Sequence, residues 1–190
     1  AADFYKKEVE KQYQEGIAPG MTVEPEIPQE LLAGARAYTD TAVISICRYS
    51  GEGWDRKSSF DTAGGEGDYE EALVKRSSQI FERGDFYLSN AERRMVQTVL
   101  QTFPKTAVVL NVGGMVDTEW FKEEQRISSV LLAWQGGMEG GLAAADLLCG
   151  DVNPSGKLAD TFASSLEDYP STGGFHESED YVDYTEDIYV

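Results

Sequence analysis

The hydrophobic pattern divides the chain into three nearly continuous apolar runs and several stretches of helical period. TAVISICRY (41–49), TAVVLNV (106–112) and SSVLLAW (128–134) are short, rich in β-branched residues and bounded by polar or glycine-bearing segments. Such runs predict strands, the first of them buried on both faces of a parallel sheet. Ahead of the second run, Ser89 and Glu92 form the S-x-x-E capping-box pattern, and Ala91, Met95, Val96, Val99, Leu100 and Phe103 recur at helical spacing until Pro104. Further helices are predicted over 2–16, ended by the linker GIAPGMTVEPEIP, over about 28–39, and over about 138–149, where Gly150 is the expected C-cap. Strand and helix alternating at this spacing predict βαβ units with right-handed crossovers, and hence an open, mostly parallel α/β sheet sandwiched between helices.

Two stretches fall outside this rhythm. Residues 50–88 are glycine-rich and charged, with room for one modest helix around 69–82, and a loop of that length inside a compact domain is usually functional or mobile. Residues 164–190 carry eight acidic side chains and no Lys or Arg, with aromatic residues interleaved, which predicts an extended surface tail packed through its tyrosines. The expected organisation is a helical lead-in over 1–39 packed on the sandwich, the sandwich domain over 40–163 with its long loop 50–88, and the tail over 164–190.

Composition narrows the partners. The chain has 190 residues, of which 41% are hydrophobic and 11% aromatic, enough for one substantial core. With 16 Lys+Arg against 34 Asp+Glu the formal charge is −18, a surface that repels phosphate backbones and anionic lipid, so neither nucleic acid nor membrane is expected as a partner. No apolar run approaches the ~20 residues of a bilayer span, and the amino terminus reads as a polar helix rather than a signal peptide. Cys47 and Cys149 lack metal-ligand spacing and are expected to be small buried hydrophobes, a usage that favours a reducing, cytoplasmic compartment. No metal and no cofactor are expected.

In open α/β sheets ligands bind beyond the carboxyl ends of the strands. The three predicted strands are followed there by Ser50-Gly51-Glu52-Gly53, by Gly113-Gly114 and by Gln135-Gly136-Gly137, three glycine-marked turns expected to meet at one edge. A carboxyl group at Glu52, desolvated by Trp54, could be raised toward neutrality and act as a general acid; from the residues alone the commoner outcome is a solvated loop glutamate or one paired with Arg48 or Arg56. His176, the single histidine, lies in the acidic tail, and no G-x-S-x-G elbow is present. GGMEGG (136–141) and GEGWDR do not have G-x-G-x-x-G spacing, although Gly136 and Gly137 before a helix could bind an anion or merely allow close packing. The aromatic residues of EWF (119–121) and Trp134 suit either sugar stacking or the core, with core favoured for Trp134.

Taken in order, RYSGEGWDR, GDFYLSNAE, VVLNVGGMVD, LLAWQGGMEGGLAAADLLCGDVNPSGKL and YTEDIYV resemble the C-terminal α/β sandwich domain of family 3 glycoside hydrolases of the β-glucosidase type, over about residues 40–190. The resemblance implies retaining hydrolysis of terminal non-reducing β-D-glucosyl or related residues, from a β-linked oligosaccharide or an aryl or alkyl glycoside. It implies Glu52 as general acid/base, with Arg48, Trp54, Asp55 and Arg56 near the substrate and the nucleophilic aspartate supplied by a barrel domain. Ala159 in KLADTF and Met138 in GGMEGG stand where the family commonly has proline and glutamine, and YTEDIYV stops where members continue with GYR. The chain therefore reads as a fragment, inactive alone. The competing reading keeps the fold and discards the chemistry: a carbohydrate-binding or interaction module. A nucleotide-binding domain is a third reading, requiring a diphosphate at the 136–141 turn.

Overall fold

A computed structural model describes residues 1–17, 21–48, 76, 79–173, 180, 181 and 185. Helices α1 (Ala2–Gln14) and α2 (Gln29–Tyr38) precede strand β1 (Thr41–Arg48), and α3 (Asn90–Thr102) leads into β2 (Lys105–Val112). A short α4 (Glu119–Lys122) connects to β3 (Ile127–Leu132), and α5 (Gly140–Cys149) follows. Among the described residues the sheet has the order β1-β2-β3, and both pairs are parallel, Arg48 standing opposite Val112 and Leu110 opposite Leu132.

The core lies on one face of this sheet. Ile44 and Ile46 of β1 and Val108, Leu110 and Val112 of β2 meet Met95, Val96, Val99 and Leu100 of α3, with Leu32 of α2 and Phe103 beside them. Trp120 and Phe121 of α4 pack against the same cluster, their rings edge to face at 4.9 Å between centroids. The EWF aromatics are thus core-flanking. Helix α3 starts where its capping box requires: Ser89 Oγ accepts from Glu92 N at 3.1 Å, and Ser89 N donates to Glu92 Oε2 at 2.8 Å. Gly150 ends α5 in the left-handed conformation, φ +82°, as a C-cap glycine should.

Three expectations need correction. Strand β1 is not buried on both faces: Ile44, Ile46 and Arg48 are buried while Thr41, Val43, Ser45 and Cys47 on the opposite face are exposed. The sheet is open there because no described element covers that face. Both cysteines are exposed for related reasons, Cys47 on that face and Cys149 on α5, which buries none of its residues. Third, the strand expected over 128–134 ends at Leu132, and Trp134 turns the chain with φ +51°, leaving its ring partly buried against the core rather than on a strand.

The start of the tail is compact rather than extended. Two 3₁₀ turns, Leu166–Asp168 and Pro170–Gly173, are held by tyrosines. Tyr87 Oη donates to Glu167 and accepts from Leu166 N, both at 3.2 Å, while Tyr169 Oη accepts from Ala163 N at 2.9 Å and donates to Thr161 O at 3.1 Å. His176 and most of the helix expected over 69–82 lie outside the described residues, although 76, 79 and 80 are helical.

Candidate active site

Because all three strands run the same way, their carboxyl ends share one edge, and the backbone ties the departing segments together there. Gly113 N, just past β2, donates to Arg48 O at the end of β1 at 3.0 Å. Asp117 N donates to Phe86 O at 2.9 Å, and Ala133 N, just past β3, donates to Leu110 O at 2.9 Å. Of the three glycine-marked turns, those at Gly113-Gly114 and Gln135-Gly137 are described and leave from this edge. Glu52, Trp54, Asp55 and Arg56 lie outside the described residues.

Arg48 lies beneath the edge and is only 4% exposed. Its Nε donates to Asp85 O at 2.7 Å, Nη1 to Cys47 O at 2.7 Å and Nη2 to Tyr87 O at 3.0 Å. Nη1 and Nη2 also grip the Glu92 carboxylate at 2.6 and 2.7 Å, a bidentate pair. The guanidinium carbon sits 4.5 Å from the centre of the Phe81 ring. Every nitrogen of the group is thereby bound to protein, and among the described residues its carboxylate partner is Glu92. Arg48 stitches the end of β1 to the segment 85–87 and to the first turn of α3, the points between which the Glu52 segment leaves and returns.

Glu92 does more at this edge than the helix-capping part that pattern reading assigned it. Its carboxylate accepts from Ser89 N as well as from Arg48, so one side chain satisfies the helix start and a buried cation together. The capping-box spacing located it; nothing in the spacing indicated the arginine.

Other polar groups at the edge are modest. Burial raises the pKa of Asp117, an effect opposed by the hydrogen bond from Glu119 N and by the nearby Arg83 and Arg93. Arg83 also lies over the Tyr87 ring, 3.9 Å from its centre. At the turn after β3 a side chain on Gly136 would place a Cβ 2.8 Å from Gly140 Cα, so close backbone approach accounts for this glycine. Gly137 takes φ +66°. Among the described residues no group of three or more His, Cys, Asp or Glu is arranged to hold a metal ion, and no helix is long and apolar enough to cross a membrane.

The profile of the glycosyl hydrolase family 3 C-terminal domain matches residues 5–190. The chain belongs to this family. Beta-glucosidase A of Butyrivibrio fibrisolvens is 60% identical over 98% of the chain, and a beta-glucosidase of Ruminococcus albus is 33% identical over 92%. A solved beta-glucosidase from Paenibacillus barengoltzii superimposes on the whole chain with a TM-score of 0.73 at 36% identity. Beta-glucosidase 3B of Thermotoga neapolitana, solved with glycerol, does so with a TM-score of 0.72 at 32% identity. The chain spans only 22% and 16% of the two sequence relatives and 19% and 24% of the two solved chains. Its relatives are thus beta-glucosidases of which it corresponds to the family 3 C-terminal domain, and its open parallel sheet with helices is the α/β sandwich of that family.

Proposed function

We propose that this domain supplies the general acid/base of a retaining β-glucosidase, with Glu52 as the proton carrier and the nucleophilic aspartate held on a barrel domain outside these residues. The observation that carries the reading is the join between β1 and β2: Gly113 N on Arg48 O brings the departure point of the S-G-E-G segment to the common carboxyl edge of the sheet. In the first step the aspartate attacks the anomeric carbon, while the Glu52 carboxyl group gives its proton to the departing glycosidic oxygen. In the second step the Glu52 carboxylate takes a proton from water as the water displaces the aspartate, restoring both groups with retained configuration. The two carboxyl groups must then lie about 5–5.5 Å apart. Trp54, Asp55 and Arg56 flank the substrate in this reading, and Arg48 holds the base of the segment.

The test is leaving-group dependence in the complete enzyme. Glu52→Gly should lose far more activity on glucosides with poor leaving groups than on activated aryl glucosides, and azide should restore turnover with the activated substrate as a β-glycosyl azide. Equal loss on both substrate classes, with no azide product, would refute the acid/base role.

A second reading is favoured by the small share of its relatives that the chain spans: alone, it acts as a sugar-binding or interaction module. It is tested by titrating the purified chain calorimetrically with cellobiose: measurable binding supports the module reading, and no binding refutes it.

A further inference from the structure

Tyr87 is buried, 7% exposed, and it is engaged at both ends. Its carbonyl oxygen accepts from Arg48 Nη2 at 3.0 Å. Its hydroxyl, at the far end of the ring, donates to Glu167 Oε2 and accepts from Leu166 N, both at 3.2 Å. A buried phenol needs partners for its O–H, and both come from the 3₁₀ turn Leu166–Asp168, some 80 positions further along the chain.

The ring between these ends is fixed as well. Arg83 lies over its face, and the Phe86 ring meets it edge to face at 5.0 Å between centroids. Phe86 in turn meets the Tyr169 ring at 6.1 Å, and its carbonyl oxygen accepts from Asp117 N at 2.9 Å. Arg83 also attracts the Glu167 carboxylate. Segment 85–87 is thereby clamped between the end of β1, the segment leaving β2 and the turn at 166–168. Arg48 is the last residue of β1, and Glu52 follows four positions later, a span of at most about 14 Å of chain.

We infer that Tyr87 is a positioning residue for the acid/base: with its carbonyl on Arg48 and its hydroxyl on the 166–167 turn, it sets where the chain leaves β1 toward Glu52. The inference rests on the acid/base reading of Glu52. Tyr87 acts through Arg48 and needs no contact with substrate. With the hydroxyl gone, segment 85–87 loses its tether to the turn, and the guanidinium that binds its carbonyls shifts with it. A small displacement suffices, because misplacing a reacting group by 1 Å can cost about 10²-fold in rate.

Tyr87→Phe in the complete enzyme removes the hydroxyl and keeps the ring, the Arg83 stack and the carbonyl. Expected is a fall in kcat/KM of about 10-fold on a glucoside with a poor leaving group, against less than about 2-fold on an activated aryl glucoside. A merely structural role would lower the fraction of folded enzyme and reduce both values alike. A ratio of the two losses below about 3 would overturn the inference, whether both values fall together or neither falls. Glu167→Ala, at an exposed position, removes the acceptor of the same hydroxyl and is judged by the same ratio should Tyr87→Phe fail to fold. Glu52→Gly is measured alongside. Leaving-group dependence in Glu52→Gly without it in Tyr87→Phe removes the positioning role alone, whereas its absence in Glu52→Gly removes the acid/base reading itself.

Discussion

Removing the Arg48 guanidinium is the sharpest test of how the edge is held together. Arg48→Met keeps the apolar stem but strands the Glu92 carboxylate, whose side chain is 14% exposed, and leaves Asp85 O and Tyr87 O without the donors they accept from now. Breaking a buried pair from one side typically costs about 3–5 kcal/mol, and at about 2–4 °C per kcal/mol for a domain of this size the melting temperature should fall by roughly 6–20 °C. Glu92→Gln keeps an acceptor for Ser89 N and should cost less, about 1–3 kcal/mol. The assay is urea unfolding of the complete enzyme followed by circular dichroism, repeated in 0.5 M NaCl as a probe of burial. Salt should leave the deficit of Arg48→Met nearly unchanged, since buried pairs are poorly screened. A deficit below about 1 kcal/mol, the range of solvent-exposed pairs, would refute the reasoning.

Other expectations follow from single groups. Thr106 is fully buried and its hydroxyl has no hydrogen-bond partner among the described residues, so Thr106→Val should raise stability, by about 1 kcal/mol in urea titrations. Ser89→Ala should cost about 1 kcal/mol through the lost cap of α3. Gly136→Ala should cost about 1–3 kcal/mol, because the new methyl meets backbone at Gly140 rather than a side chain able to move aside; thermal unfolding reads the loss. Burial raises the pKa values of Glu24 and Asp117, so each binds its proton more readily folded than unfolded. Their stabilising contribution is complete below the unfolded carboxylate range of about 4 and is lost as pH rises through the folded values. Glu24→Gln and Asp117→Asn should flatten the decline of the urea midpoint above pH ~4, and an unchanged slope in both would contradict the assignment.

The fold was legible wherever a local rule sufficed. The three apolar runs became parallel strands, the S-x-x-E spacing became a capping box with both bonds formed, and Gly150 took the left-handed cap. The candidate site was legible only as a place: the strands' shared edge followed from their direction, while the Glu52 loop itself lies outside the described residues. Arg48 shows what spacing cannot supply. Its partner stands 44 positions along the chain, and its other acceptors are backbone carbonyls, which carry no side-chain signature. Exposure was misjudged at Val43, Cys47 and Cys149 for a different reason: an apolar run expresses the burial its residues suit, and on these surfaces nothing described supplies it.

The grip of Arg48 on residues 85, 87 and 92 has a corollary for stability. With its two feet fastened at one buried point, the intervening stretch can gain or shed residues without disturbing the strands, since doubling the length of a flexible loop adds only about 0.6 kcal/mol of closure cost. Substitutions and insertions between the two feet should therefore leave the urea midpoint of the domain nearly unchanged, whereas changes at Arg48 or Glu92 should not.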